Sequence, residues 1–399
     1  MEPPEGIPSL LWVMLAGALA PWMSNRLAAL RLPVVALELL FGVLIGPQGL
    51  GLATMDGALP YLARFGLGML FFLAGMEIEL ALLRGRPLVL GAISWLLSVM
   101  LGLVFAFIGA QLGLVTQPAV VALVLSTTAL GVIAPIIRDA GLHGTPLGLY
   151  VTSCGVMGEI GPILLMSALF ASTGQQTNQI ALTGVFIAIA VGVCWASFWI
   201  RPPGLIGLLA RSMHRSGQWP VRLCMLLLAL LIWLAETFRL DLALGAFAAG
   251  LAVGLASRDS RSEVLAEKLD AIGFGVMVPV FFVTSGMRLD VMSVLDRPQA
   301  GLMVLAATLA LLLARGLPAV LLVPWLGVRG AAAAGLYAAT SLSLIVALTS
   351  AAVESGRMDP INATVLVSAG LLSVLLFPWL AGLLLDSNRS ARADDSDRR

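Results

Sequence analysis

Apolar residues along this chain run in blocks of about 17–25 positions between short polar and charged stretches, the length at which a helix crosses a hydrocarbon core. Blocks of this kind lie near residues 7–25, 33–47, 60–78, 88–112, 118–137, 146–171, 180–200, 220–237, 241–257, 271–289, 299–323, 330–352 and 362–385. The pattern predicts an all-α polytopic membrane protein with about 13 transmembrane helices. The first block is expected to be retained, because no clear small-residue cleavage site precedes Arg26.

Composition supports the same class. Of 399 residues, 59% are hydrophobic and 11% charged, against about 25% charged in ordinary soluble domains. A net charge of +1 says nothing about partners, but its distribution predicts an orientation. With the N-terminus outside, loops on the opposite side carry most of the 23 basic residues, among them Arg26, Arg84, Arg86, Arg201, Arg211, Arg215 and Lys268. The positive-inside rule then places the C-terminus in the cytoplasm of a protein of the cell (inner) membrane. Residues 391–399 read as a cytoplasmic tail after a transmembrane domain spanning 1–390. Cys154, Cys194 and Cys224 show no metal spacing and read as buried thiols.

Three segments of the first half recur in order in the second, at a spacing of about 210 residues. Gly42-Val-Leu-Ile-Gly46 matches Gly250-Leu-Ala-Val-Gly254, Leu73-Ala-Gly-Met-Glu-Ile-Glu79 matches Thr284-Ser-Gly-Met-Arg-Leu-Asp290, and Thr128-Ala-Leu-Gly-Val-Ile133 matches Thr340-Ser-Leu-Ser-Leu-Ile345. Repeat A then covers about 30–172 and repeat B about 240–385. Equivalent spans are seven apart, an odd number, so the copies enter the membrane from opposite sides. Such inverted repeats characterise alternating-access carriers. The third pair marks two expected discontinuous helices that cross. Ser126, Thr127, Thr128 and Gly131 precede Pro135, which cannot donate to the carbonyl of Gly131, while Thr340, Ser341 and Ser343 supply hydroxyls in the other copy. The competing reading is back-bonding of these hydroxyls within ordinary packed helices.

Glu159 stands alone as an acid in the apolar stretch Leu147–Ala171. A carboxyl at that depth costs about 2.5–3.5 kcal/mol to insert and is by default a functional candidate. Thr152, Gly155, Glu159 and Pro162 fall on one helical face, and Pro162 frees the carbonyl of Gly158 beside the carboxylate. These oxygens suit a monovalent cation, since a divalent one normally takes more carboxylates. The alternative is a protonated acid joining two helices. Arg288 has two open readings: an ion-pair partner of Glu159, or a side chain that reaches the interface and faces Asp290. Glu38, Glu236 and Arg315 are expected to support helix contacts; Glu77 and Glu79 form an interfacial charge cluster, and His143 and His214 are loop residues.

Several of these segments together resemble the monovalent cation:proton antiporter-2 family, the sodium or potassium/hydrogen exchanger transmembrane domain, over about residues 10–385. The resemblance is carried by Leu32-Pro33 with Gly42-Val-Leu-Ile-Gly-Pro47, Phe71-Phe-Leu-Ala-Gly-Met-Glu77, Ser126-Thr-Thr-Ala-Leu-Gly131 with Arg138-Asp139, Leu244-Gly-Ala-Phe-Ala-Ala-Gly250, and Pro279-Val-Phe-Phe-Val-Thr-Ser-Gly286. It implies a homodimer of thirteen-span protomers, each with an ion-carrying core domain moving against a dimer domain. In the family the sixth span carries an aspartate, often after a second polar residue; here the pair is Gly158-Glu159.

The expected activity is exchange of Na+ or K+ for H+ by alternating access, with Glu159, Thr127, Thr128, Thr152 and Ser341 binding cation or proton and with Gly131, Pro135 and Gly158 shaping broken-helix backbone. The partners are then the cation, the proton and the lipid bilayer; no cofactor, resident metal or nucleic acid is expected. Two further readings stay open, a sodium-coupled organic anion symporter and an ion or pH sensor that does not transport. Enzymatic activity is not expected, because the loops show no nucleophile and base set and no phosphate-binding glycine loop.

Overall fold

The computed structural model describes residues 7–26, 33–76, 85–130, 144–170, 218–238, 242–256, 263–289 and 298–396, with scattered positions in 133–142 and 184–193. Gly131, Pro135, Arg138, Asp139, Glu77, Glu79, His143, His214, Cys194, Asp290 and most of the 180–200 block lie outside the described residues.

The described elements are helical. In chain order they are α1 (Ile7–Arg26), α2 (Val34–Ile45), α3 (Leu59–Met76), α4 (Arg86–Gln111), α5 (Pro118–Leu125), α6 (Pro146–Phe170), α7 (Trp219–Thr237), α8 (Leu242–Ala256), α9 (Glu263–Ile272), α10 (Val278–Met287), α11 (Pro298–Gly316), α12 (Val323–Ala339), α13 (Ser343–Glu354) and α14 (Pro360–Ser396). A π-turn, Gly273–Met277, joins α9 to α10, and a 3-10 turn, Leu317–Leu322, joins α11 to α12. The π-turn sits where Pro279 cannot donate to the carbonyl of Gly275, so the ladder widens there. Seven candidate spans are long and apolar enough to cross a membrane among the described residues, and α2 and α8 are shorter apolar helices. The last helix continues through the segment read as a tail, to Ser396.

The chain divides into two compact units. One comprises Met1–Ala20, Glu38–Leu80 and Ser167–Met287, the other Pro21–Leu37, Ala81–Met166 and Arg288–Arg399. Each unit therefore takes pieces from both halves of the sequence, and neither coincides with a repeat.

Glycines set the packing of the first unit. A Cβ on Gly42 would overlap the carbonyl of Val283, and one on Gly286 the carbonyl of Leu39, so α2 and α10 meet backbone to backbone. A Cβ on Gly250 would overlap the carbonyl of Phe72, and one on Gly75 that of Phe247, so α8 and α3 meet in the same way. These are the glycines of the first two repeated segments, and they make matching contacts: α2 on α10, α8 on α3. Lipid tails are as apolar as leucine, so such close approach, rather than removal of apolar surface from water, holds the helices together.

The second unit gathers α4, α5, α11–α14 and most of α6. Its core includes Ile133, Val151, Cys154, Leu322, Ala333 and Tyr337. On α4 the side chains of Val89, Ile93, Leu96, Met100, Val104 and Phe107 are exposed along one face. In a soluble protein that stripe would be an aggregation surface; in a membrane it faces lipid.

Gly250→Leu is expected to destabilise by more than the usual 1–3 kcal/mol of an overpacked core, about 3 kcal/mol or above, because a backbone carbonyl occupies the space. Thermal unfolding in detergent would show a lowered midpoint. Gly301→Leu on α11, where a Cβ meets nothing within 4 Å, should leave it unchanged.

Candidate ion-binding site

Two helices stop inside the second unit. At the end of α5 the Ser126 hydroxyl donates to the carbonyl of Leu123 (2.8 Å) and the Thr127 hydroxyl to that of Val124 (2.7 Å). Residues 127–129 are not helical, and helix resumes at Leu130. Likewise α12 ends at Ala339, its Thr340 hydroxyl donates to the carbonyl of Leu336 (3.0 Å), and α13 begins at Ser343. The residue types explain both stops: hydroxyl side chains satisfy terminal carbonyls that lose their helical N–H partners.

The two breaks are bonded to each other. The N–H of Ala129 donates to the carbonyl of Thr340 (2.9 Å), the Thr128 hydroxyl donates to the carbonyl of Ala338 (2.6 Å), and the hydroxyls of Thr127 and Ser341 lie 2.7 Å apart. A third helix braces the second break. Ser373 of α14 accepts the N–H of Ser341 (3.1 Å), and its own hydroxyl is shared between the carbonyls of Ser341 (3.0 Å) and Gly370 (2.7 Å).

Two buried charges meet these ends. Glu159 on α6 is 6% exposed, and its Oε1 accepts the N–H of Leu130 at 2.9 Å. That N–H opens the resumed helix, the end where orphan donors and the helix dipole favour a carboxylate. Arg315, in the last turn of α11, is fully buried. Its Nε donates to the Thr128 hydroxyl (3.0 Å) and to the carbonyl of Ala338 (3.3 Å), its Nη1 to the Ser98 hydroxyl (3.2 Å), and its Nη2 to the carbonyl of Cys154 (3.0 Å) and again to the Thr128 hydroxyl. Ala338 belongs to the final turn of α12, so the guanidinium sits at a negative helix end. A carboxyl and a guanidinium thus meet opposite half-helix ends.

Gly158 is explained by the same geometry. A Cβ there would lie 2.6 Å from Arg315 Nη2 and 2.6 Å from Thr128 Oγ1. Its carbonyl, freed by Pro162, accepts the N–H of Thr128 (3.1 Å). The residue before the acid must be glycine for the guanidinium and the first break to reach α6. One turn earlier, a Cβ on Gly155 would press on the Leu130 side chain at 2.8 Å.

Of the residues singled out from sequence, Glu159, Thr127, Thr128, Ser341 and Gly158 come together here. Thr152 is half-buried two turns before Glu159 and enters none of these hydrogen bonds. Arg288 is elsewhere: it is bonded to Glu354 at the end of α13, with the two side chains 38% and 50% exposed. Of the two readings left open for it, pairing with Glu159 is not what this structure shows, because α10 has ended at Met287 and Arg288 meets Glu354 beyond it. Arg315, expected to support helix contacts, does so at the crossing, where it ties α11 to Ser98, Thr128, Cys154 and Ala338. An arginine after seventeen uncharged residues, Pro298 to Ala314, signals burial in the membrane without saying what it meets. Glu236 pairs with Arg64 at 3.0 Å in a largely exposed bridge, and Glu38 is buried in α2 within the other unit.

Residues 14–385 match the family profile described as sodium/hydrogen exchanger, transmembrane. The chain belongs to this exchanger family. Among its relatives, it is 26% identical over 360 residues to the putative Na(+)/H(+) antiporter YjbQ of Bacillus subtilis, covering 86% of this chain and 57% of that protein. It is 25% identical over 300 residues to the Na(+)/H(+) antiporter of Enterococcus hirae, covering 72% and 74%. The exchanger-family chain thus spans little more than half the length of the Bacillus relative. The sodium proton antiporter MjNhaP1 of Methanocaldococcus jannaschii has the same fold, with a TM-score of 0.69 at 18% identity over 94% of this chain and 97% of that one.

Removing the brace at the second break should cost about 1–3 kcal/mol, the usual result of stranding a buried backbone donor. Ser373→Ala is expected to lower the thermal midpoint in detergent, and Ser373→Thr, which keeps the hydroxyl, to recover most of it.

Proposed function

We propose that this exchanger-family member is a secondary antiporter that exchanges a monovalent cation, Na+ or K+, for H+ by alternating access. One observation carries the reading: a buried carboxyl, Glu159, bonded to the start of a half-helix where two interrupted helices cross. Hydroxyl and carbonyl oxygens released by the breaks, with Thr127 and Ser341 nearest one another, supply the neutral ligands a monovalent cation takes. Thr128 has a different part, since its hydroxyl is engaged by Arg315 and by the carbonyl of Ala338. Proton and cation compete for Glu159, so each displaces the other, and that competition is the exchange.

The stoichiometry follows from the charges. Arg315 remains protonated at any physiological pH and contributes the same charge in both half-cycles. Glu159 is neutral when protonated and neutral in sum when cation-bound, and glycine at 158 adds no second titrating group. Exchange is one for one and electroneutral, so a potential worth about 2.3 kcal/mol per charge per 100 mV does not drive it. The working form is a homodimer in the cell membrane with the C-terminus in the cytoplasm, a reading supported by the distribution of arginines and by the exposed stripe of Trp219, Leu223, Leu226, Leu230 and Trp233 on α7.

Proton flux in proteoliposomes, started by adding Na+ or K+, tests the activity. Wild-type protein should give flux with a bell-shaped pH profile, falling at low pH where protons outcompete the cation and at high pH where they are scarce. Glu159→Gln should abolish it in protein that still inserts, since an amide cannot exchange a proton. Ser341→Ala should raise the cation concentration needed for half-maximal flux. Steady current on a supported membrane would overturn electroneutrality, and normal flux from Glu159→Gln would overturn the site. Sodium-driven uptake of an organic anion, or ion binding without flux, would replace the antiport reading.

A further inference from the structure

Away from the crossing, the second unit contains a hollow of about 130 Å³ between α4, α5, α11 and α14. Small side chains create it: Ala306, Ala307 and Ala310 on α11 leave space against Val121 and Leu125 of α5. Asn362, near the start of α14, is the single polar residue in its wall. The hollow reaches the surface, because Leu114, another wall residue, is 40% exposed.

Its chemistry decides what enters. A buried water needs two to four polar partners, and apolar cavities near 150 Å³ stay dry and accept small hydrocarbons instead. Three of the bounding helices, α4, α11 and α14, lie in candidate membrane spans. Leu302, Leu305 and Leu309 are exposed beside the hollow on α11 and Phe107 on α4, so the medium at its mouth is lipid. The mouth lies at one end of the bundle, where α4 finishes at Gln111 and α5 and α14 begin at Pro118 and Pro360. Asn362, in the first turn of α14, lines the hollow at that end, and the ends of membrane-spanning helices reach the headgroup region.

We propose that this hollow binds a segment of one acyl chain of a bilayer phospholipid, a few methylenes long, with the Asn362 amide donating to the lipid's ester or phosphate oxygens. The chain fills the space left by the α11 alanines and rests on Val121 and Leu125. Leu125 is the last residue of α5, immediately before Ser126, Thr127 and Thr128. A bound chain therefore packs against the half-helix that ends at the crossing. Binding does not depend on the transport reading, and the test below needs no flux.

The full chain, in nanodiscs of phosphatidylethanolamine and phosphatidylglycerol, is irradiated with a phospholipid carrying a diazirine in one acyl chain, and adducts are mapped by mass spectrometry. Labelling at Met303, Phe105 and Leu366, which line the hollow, should exceed that at exposed Leu302 and Leu305 at least fivefold. Ala310→Phe should cut the pocket adducts at least tenfold, and the milder Ala307→Leu serves should the larger side chain prevent folding. Leu305→Phe, outside the hollow, should leave them unchanged. Asn362→Leu should weaken phospholipid labelling while sparing labelling by a diazirine alkane. The proposal is overturned by adducts spread evenly over the lipid-facing surface, by pocket adducts indifferent to both plugging variants, or by labelling from a free fatty acid but not from the phospholipid.

Discussion

Backbone groups released inside a membrane must find partners within the protein, because each one left bare costs several kcal/mol. This chain interrupts two helices and then satisfies the ends by three means. Hydroxyls of Ser126, Thr127 and Thr340 fold back on the carbonyls of their own helices. The breaks bond across to one another between Ala129 and Thr340. Glu159 takes a donor at a positive end, and Arg315 covers a carbonyl at a negative one. The rest of the second unit is arranged so that α4, α6, α11 and α14 can deliver Ser98, Glu159, Arg315 and Ser373 to that place.

The same arrangement constrains the chemistry. The Arg315 guanidinium bonds to hydroxyls and carbonyls, while Glu159 takes the N–H at the other helix end. Placing a side chain at 158 would displace that guanidinium, so glycine there and arginine at 315 are one structural decision expressed at two positions. Glycine at 158 adds no titrating group beside Glu159, and the electroneutral exchange proposed above rests on that.

Glycine plays a second part in the other unit. Gly42, Gly75, Gly250 and Gly286 let α2 meet α10 and α3 meet α8 at backbone distance. The corresponding residues of the two halves make corresponding contacts, each between an element of one half and an element of the other. Contacts of this kind, each joining the two halves, are why the first compact unit takes elements from both halves of the sequence.

The sequence by itself determined the membrane class, the apolar helices, the repeated segments and the two interruptions, since each is a local property: block length, glycine and hydroxyl placement, a lone acid among apolar residues. Glu159, Thr127, Thr128 and Ser341 were legible for that reason. The role of Arg315 was not, because nothing near it in the chain distinguishes a buried arginine bracing two helices from one reaching a site; its partners Ser98, Thr128, Cys154 and Ala338 come from four other segments. For Arg288 the chain left two readings open, and only the fold shows that it meets Glu354 beyond the helix end. Ser373 carried no signal either, being one serine in an ordinary apolar helix. Which charge meets which helix end is settled by long-range packing, and only the tertiary structure brings those segments to one point.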